Sequence, residues 1–204
     1  MKFNIKQIIT VTIALFAVGA GVYLFNSIKS EQERFTLIKV SEEEIKDNLR
    51  GLRLAQELHK KKYGYFSENF GKLSKFIDKD TFFIVDVNET IIPRDYEEDS
   101  IVIKIDTVSF FTIKDSLFRN NKFKNLNTSR ISKVPRTDHN FEMVVSNDPV
   151  FNEFKLYIVD KKPIDKYRRE PIVRNGKEKK IKGTKPLLYI GSTKEESLEA
   201  SWTK

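Results

Sequence analysis

An uncharged run from residue 7 to residue 28 limits the possible folds of this chain more than any other stretch. As a helix rising about 1.5 Å per residue, the run would be roughly 33 Å long, which is enough to cross the hydrocarbon core of a bilayer. Apolar side chains occur on every side of such a helix, so it has no polar face for water. The sequence therefore predicts a transmembrane helix over residues 7–28.

The flanking charges predict the orientation of this helix. Lys2 and Lys6 precede it, whereas Lys29 and Arg34 follow it together with two glutamates that nearly cancel them. Because an excess of Lys and Arg marks the cytoplasmic flank, we expect residues 1–6 to be cytoplasmic. The chain has no cysteine, and an extracytoplasmic domain without disulfides is typical of a bacterial envelope. We therefore expect a bacterial inner-membrane protein with the bulk of the chain in the periplasm.

A cleaved signal peptide is the alternative interpretation of the same run. Val18, Gly19 and Ala20 offer small residues at which a signal peptidase could cut. The apolar residues continue beyond this point to Phe25, which favours an uncleaved span.

Two small residues inside the run are candidates for helix packing. Ala17 and Gly21 lie four residues apart, and such pairs let a second transmembrane helix approach closely. An ordinary lipid-facing surface is the alternative, since small residues are common in spans.

After the span, the pattern predicts a long amphipathic helix. Apolar residues recur at three- and four-residue spacing from Phe35 to Tyr63, with a second row beside them. This face is too wide for a two-stranded coiled coil and suits a helix laid on a sheet. We predict a stalk and long helix over residues 29–66 with Gly64 as the C-cap.

The continuity of this stalk is open, because Ser41 and Glu44 form a capping-box pair that could begin a new helix.

Shorter elements follow, and they predict one periplasmic α+β domain over residues 67–191. Ser67 could cap a short helix, and Asn175-Gly176 is a hairpin signal. A long loop is expected over residues 114–138 and a polar C-terminal tail over residues 192–204. The predicted strands cover residues 81–87, 100–111, 140–146, 153–160 and 186–190.

One stretch resembles a known family. Leu52–Phe66 reads LRLAQELHKKKYGYF, and Phe70-Gly71-Lys72-Leu73 follows it. This resembles the end of the long helix in type IV pilins and in the pseudopilins of type II secretion. With Leu188–Ser192 it also resembles a single-span envelope family of Gram-negative bacteria. The resemblance implies a pilin-like fold, in which a long helix packs on an antiparallel sheet. The chain lacks a basic leader ending in Gly before a Phe and a Glu, so prepilin-peptidase processing is not implied.

Few residues could carry catalysis or bind a metal. His59 and His139 are the only histidines; we interpret His59 as a core residue, because it falls on the packing face, and His139 as a turn residue. The absence of cysteine excludes disulfides and thiol catalysis. The acidic run Asp95–Asp99 lacks the spacing and the glycine of a calcium loop. We therefore expect no enzyme, no cofactor and no metal site.

The positive charge is concentrated in one stretch. From Lys161 to Lys185 there are eleven basic and three acidic residues, which accounts for the formal net charge of +8. This stretch could bind anionic lipid, an acidic partner or an envelope polymer, whereas the expected location disfavours nucleic acid. A solvated lysine-rich loop is the alternative. The candidate binding residues are Lys162, Lys166, Arg168, Arg169, Arg174, Lys177, Lys179, Lys180 and Lys182.

Together these features predict an α+β fold in which an N-terminal transmembrane helix continues into a long helix packed on an antiparallel sheet. The function we expect is that of a non-enzymatic subunit or accessory factor of an envelope complex, in secretion, pilus-like assembly or envelope maintenance. Its partners would be other inner-membrane or periplasmic proteins and membrane lipid, with no nucleic acid. The alternative is a periplasmic binding module that acts through residues 161–185.

Overall fold

The structure is a computed structural model that describes residues 5–92, 100–118, 123, 127–174, 177–179 and 181–203. Within these ranges it does not describe the side chains of residues 5–8, 91, 92, 100, 102, 118, 172–174 and 177–179. The chain forms two compact units, Met1–Glu43 and Glu44–Lys204. Its elements confirm a mixed α+β architecture with one long N-terminal helix and small antiparallel sheets.

The first unit is built from the N-terminal part of helix α1, which is assigned from Ile5 to Tyr63. This helix is long and apolar enough near its N-terminus to cross a membrane, and none of its apolar window is buried within the protein. The capping-box pair at Ser41 and Glu44 does not begin a new helix, because both residues lie inside α1.

The end of α1 agrees with the sequence prediction. Gly64 has φ +85°, and its N–H donates to Lys60 O at 2.7 Å. A left-handed residue directly after a helix favours glycine, which has no Cβ to clash. Gly64 therefore terminates α1 as a C-cap, and this prediction is confirmed.

Helix α2, Phe70–Lys79, begins three residues later than the sequence predicts. Its N-cap is Asn69, whose side chain accepts a hydrogen bond from Lys72 N at 2.8 Å. The prediction that Ser67 caps the helix is wrong. Ser67 is buried, and its backbone N–H and carbonyl are both bound by the Gln56 side chain.

Strands β1, Thr81–Ile92, and β2, Ser100–Thr112, form a separate two-stranded antiparallel sheet. Helix α3, Ile113–Phe118, follows directly, and a short 3-10 turn covers Thr128–Arg130. The loop expected over residues 114–138 therefore contains two ordered elements.

The main sheet has the strand order β3-β4-β7, all antiparallel. Strands β3, Glu142–Asp148, and β4, Glu153–Val159, are adjacent in sequence, and β7 is Tyr189–Gly191. A small hairpin of β5, Ile172–Arg174, and β6, Lys177–Lys179, lies between β4 and β7 in sequence. Arg174 pairs with Lys177, and the hairpin signal Asn175-Gly176 between them lies outside the described residues.

The core of the second unit joins the C-terminal part of α1 to this main sheet. Ile45, Leu49, Leu52 and Ala55 are buried on one face of α1, in the spacing that the sequence predicts. They belong to one cluster with Leu156 and Ile158 of β4 and Ile190 of β7. The packing row does not extend over its whole predicted length, since Phe35 and Tyr63 are exposed.

The C-terminal segment is not the free polar tail that its composition suggests. Ser201 N donates to Tyr189 O at 3.0 Å, and Ala200 forms a β-bridge with Ile190. Trp202 packs against the core, and the Arg50 guanidinium lies 5.8 Å from the centroid of its ring. The last residues thus cover one end of the main sheet.

Candidate interaction surfaces

The β1–β2 hairpin, called the ribbon below, has two chemically different faces. Residues directly opposite in an antiparallel pair share a face, and the register pairs Phe83 with Phe110 and Val87 with Ile105. The face that contains these pairs is called the apolar ribbon face. Its described large apolar members are Phe83, Val85, Val87, Ile101, Ile103, Ile105 and Phe110, interrupted by Thr107 and Glu89.

The apolar ribbon face is open to solvent. The exposed fraction of its seven large apolar side chains runs from 46% at Val85 to 68% at Phe110. In an ordinary half-buried strand, alternate residues face a core, but here no described part of the chain covers them. Monomeric soluble proteins rarely expose apolar surface in one continuous patch unless it is used for binding.

The opposite face of the ribbon carries polar pairs in its middle, beyond the exposed Ile84. Asp86 lies opposite Asp106, and Asn88 lies opposite Lys104, whose Nζ is 3.3 Å from Asp106 Oδ2. The base of the ribbon joins the core through Phe82, whose ring stacks on that of Phe111 at 5.6 Å. The ribbon is therefore amphipathic along its length and held by its base.

Both long edges of the ribbon are also open in the described structure, because neither β1 nor β2 pairs with a third strand. Unpaired edges present backbone N–H and C=O groups to any strand that approaches. An isolated two-stranded hairpin is at best marginally stable in water. The ribbon thus has two features that a partner could bind, an exposed apolar face and unpaired strand edges.

The basic stretch forms a second distinct surface. Residues 161–185, called the basic excursion below, leave the main sheet after β4 and return before β7. Its two ends are tied together, because Arg168 bridges Lys185 in parallel and Arg169 N donates to Lys185 O at 3.0 Å. Asp165 is buried at this junction and lies 3.4 Å from Lys185 Nζ.

Not all of the predicted binding cations are exposed and available. Arg168 is half-buried, and its Nη1 donates to Pro186 O at 2.7 Å, so it has a structural contact. Lys162, Lys166, Arg169 and Lys182 are exposed.

The remaining predicted cations cannot be assigned a direction. Arg174 and Lys177 pair across the small hairpin, and Lys179 pairs with Ile172, but their side chains are not described. Lys180 lies outside the described residues.

Lys161, at the start of the basic excursion, is paired with β3. Its Nζ lies 2.7 Å from Glu142 Oε2, and this hydrogen bond raises the pKa of Lys161. The exposed cations of the basic excursion are therefore fewer than the sequence suggests.

A side-chain hydrogen bond to a buried carboxyl group supports the start of the basic excursion and was not predicted. His139 Nε2 lies 2.8 Å from Asp160 Oδ1, and Asp160 is fully buried. The same oxygen accepts from Lys162 N at 3.0 Å. His139 does lie in a turn, where its carbonyl accepts from Val134 N, but its side chain also holds Asp160.

The structure gives His59 the core position that the sequence predicts. His59 is buried, its Nδ1 lies 2.9 Å from Tyr65 O, and its ring packs on Tyr63, Tyr65 and Phe76. Among the residues that the structure describes, no group of three or more His, Asp or Glu side chains is placed to hold a metal ion.

A shallow groove of about 560 Å³ lies beside the C-terminal part of α1. Its charges are largely paired with each other, since Arg53 Nε is 2.8 Å from Glu57 Oε1 and Lys60 contacts Glu196. The groove therefore presents no strong net charge to a ligand. Its lining residues are Arg53, Glu57, Lys60, Lys61, Phe66, Glu196 and Leu198.

Ala17 and Gly21 lie on α1 in the first unit, and both are exposed. A Cβ added at Gly21 would meet nothing within 4 Å. The pair is thus open to a close approach, and its use in helix packing stays a prediction.

Sequence reasoning missed the ribbon as a candidate surface, although the signal was present. The alternation of Ile101, Ile103 and Ile105 with polar residues predicts a strand with one buried face. Alternation does not reveal whether the face is covered by the same chain or by another one.

Comparison with protein-family models, curated proteins and solved structures finds no match to this chain. The resemblance to pilins and pseudopilins therefore stays a prediction that rests on the residues themselves.

Proposed function

We propose that this protein is a non-enzymatic, single-pass inner-membrane protein whose periplasmic domain is a subunit or accessory factor of an envelope complex. The apolar ribbon face is the observation that carries this proposal. It is exposed, it carries seven large apolar side chains, and polar pairs lie on the opposite face, as expected for a surface that another protein covers.

The N-terminal helix supports the membrane part of the proposal. Its apolar window is exposed rather than packed into the domain, so a bilayer would supply the apolar surroundings that it lacks in water. Lys2 and Lys6 before the span favour a cytoplasmic N-terminus. The intact mass of the mature protein tests whether the span is retained, because removal of a signal peptide would shorten the chain near Ala20.

The pilin-like description is supported by the way the resembling stretch packs. Leu52, Ala55 and Gln56 are all buried, and Gly64 ends the helix before a chain reversal that leads into α2. A long helix packed through such residues onto an antiparallel sheet is what the resemblance implies.

Purification of the natively expressed protein in mild detergent tests the proposal. We expect a membrane or periplasmic protein to copurify at fixed stoichiometry. The double variant Val87→Lys/Ile105→Lys should weaken this association at least about tenfold, because lysine at the centre of an apolar contact must be desolvated. Asn88→Lys/Thr90→Lys, on the polar face of the ribbon, is the matched control and should retain the partner. A protein that purifies alone as a monomer would overturn the proposal.

A second function is favoured by the exposed cations of the basic excursion. Lys166, Arg169 and Lys182 could recognise an anionic lipid or polymer. Binding to phosphatidylglycerol vesicles should then fall with added salt and with reversal of these three residues to Glu. Reversal of Lys72 and Lys114, exposed residues outside the basic excursion, is the control. Equal binding by both variants would exclude this function.

A further inference from the structure

The apolar ribbon face needs a partner of a particular charge. The described ionisable residues of the whole ribbon are Asp86, Glu89 and Asp106 against Lys104, and of these Glu89 lies on the apolar face, so the ribbon is acidic. The sequence that connects the two strands, residues 93–99, adds four carboxylates and one guanidinium. Anionic lipid would be repelled by this charge, and a basic protein surface would be attracted.

The same chain carries a surface of the required chemistry. The basic excursion exposes Lys162, Lys166, Arg169 and Lys182. Ile164 and Tyr167 are exposed within it, at 39% and 50%, among cations that include Lys166 and Arg169. It therefore combines positive charge with apolar side chains that could meet the apolar ribbon face.

These two surfaces are not joined within one molecule, because the apolar ribbon face and Tyr167 are both exposed. We propose that the apolar ribbon face of one copy docks on the basic excursion of a second copy of this chain. This inference rests on the proposed function and names the partner for that same surface.

A symmetric contact between two ribbons fits the observations less well. Two acidic ribbons would repel each other, whereas contact with the basic excursion brings opposite charges together.

The contact that we propose is heterologous, because it joins two different surfaces. In a pair of copies, one copy then keeps its basic excursion unused and the other keeps its ribbon unused, so further copies can add unless the assembly closes into a ring. The chain would thus form rings or rows in the membrane rather than closed symmetric dimers.

Site-specific photo-crosslinking in intact membranes tests this inference. The full-length chain, with photo-reactive benzoylphenylalanine in place of Ile103, is coexpressed with a second copy that carries a different tag. We expect a cross-linked product that contains both tags and maps to residues 161–185 of the second copy. The same photo-reactive residue at Asn88, on the polar face, should give little of this product.

A second measurement tests how much charge contributes to the contact between the two copies. Lys166→Glu/Arg169→Glu in the second copy should reduce the product at least about threefold, and so should an increase in ionic strength from about 0.1 M to about 0.5 M. A product that is unchanged by both would overturn the role of charge complementarity.

The other cross-linking outcomes separate this inference from the proposed function. Products that map to the ribbon of a second copy would overturn the heterologous contact. Products that contain a different protein and no second copy would overturn this inference and leave the proposed function standing. Cross-links to lipid alone, or to nothing, would overturn both.

Discussion

The side-chain amide of Gln56 makes two hydrogen bonds with the backbone of Ser67. Gln56 Oε1 accepts from Ser67 N at 2.8 Å, and Gln56 Nε2 donates to Ser67 O at 3.1 Å. Asn147 of β3 binds the backbone of the neighbouring Phe66 in the same way. Phe66 N donates to Asn147 Oδ1 at 3.2 Å, and Asn147 Nδ2 donates to Phe66 O at 2.9 Å. Side chains from α1 and β3 therefore satisfy the backbone of the chain reversal that follows α1.

The first prediction concerns this reversal. Gln56→Ala should destabilise the second unit by about 2 kcal/mol, because it leaves a buried N–H and a buried carbonyl without partners. Thermal unfolding of the full chain in mild detergent, followed by circular dichroism, measures the effect. Arg53→Ala removes only a partly exposed ion pair with Glu57 and is the control, expected to cost less than about 0.5 kcal/mol. Equal losses would show that the two bonds to Ser67 contribute nothing specific.

The second prediction compares two glycines with similar backbone angles. Gly191 and Gly64 have φ +80° and +85°. A Cβ at Gly191 would lie 1.9 Å from Leu156 O, whereas a Cβ at Gly64 would meet nothing within 4 Å. Gly64→Ala should cost about 1 kcal/mol from backbone strain alone. Gly191→Ala should cost at least about 3 kcal/mol, because β7 must also move away from β4.

Urea titration of both glycine variants in the same detergent checks this difference. A Gly191→Ala protein as stable as Gly64→Ala would mean that β7 does not approach Leu156 as closely as described.

The third prediction concerns the buried carboxylate of Asp160. His139→Ala removes the hydrogen bond at 2.8 Å and leaves Asp160 Oδ1 with Lys162 N as its partner. Loss of a partner to a buried carboxylate should cost about 2–3 kcal/mol. The double variant His139→Ala/Asp160→Ala should be no less stable than His139→Ala alone, since the buried carboxyl group that lost its partner is gone. Thermal unfolding at pH 7 compares the two, and additive losses would contradict the coupling.

The fourth prediction is that acid weakens the pair between Glu44 and Arg136. Arg136 Nε and Nη2 each lie 2.8 Å from a Glu44 oxygen, and the hydrogen bond from Arg136 lowers the pKa of Glu44 below its ordinary 4.5. Because the folded-state pKa is below the unfolded one, the stabilisation is complete above about pH 4.5. It is lost as the pH falls through the lowered value.

Melting temperatures measured across pH test this sign. Glu44→Gln should melt below the unsubstituted protein at pH 7, and the two curves should converge near about pH 2, where Glu44 is protonated in both states. Arg136→Gln is the matched variant and should behave alike, with little further change in the double variant. Curves that stay parallel into acid would contradict the role of this pair.

The fifth prediction separates the apolar ribbon face from the core. Ile103→Lys should change the stability of the free protein by less than about 0.5 kcal/mol, because Ile103 is 57% exposed. Leu156→Ala, at a fully buried position of β4, should cost about 3 kcal/mol. Thermal unfolding of both variants without partner distinguishes a binding face from a packing face. A large loss for Ile103→Lys would place that side chain in the core.

Local signals in the sequence predicted much of the fold. Gly64 marked the end of α1 because few other residues adopt its backbone conformation easily, and the spacing of Leu49 and Leu52 marked the buried face. Ser67 was misassigned because two nearby residues could cap α2, and the contact with Gln56, eleven positions earlier in the chain, decided between them. The C-terminal segment was misassigned because its polar composition hides the packing of Trp202.

The long-range arrangement was less accessible to sequence reasoning. Period-two alternation predicts a strand but not its neighbour, so one sheet was expected where the described residues form three. The sequence could not show that Arg168 is less available than the exposed cations of the basic excursion, because its contact with Pro186 O joins residues 18 positions apart.

The order of the strands along the chain has a consequence for folding. β1 and β2 are joined by a short connection, and such hairpins form within microseconds. β7 can pair with β4 only after the basic excursion has been synthesised. Closing this longer loop is slower than forming the hairpin. Newly made chains therefore present the ribbon while the main sheet is still incomplete. At high expression, the protection of that strand pair by chaperones would then determine the yield of folded protein more than the stability of the finished domain does.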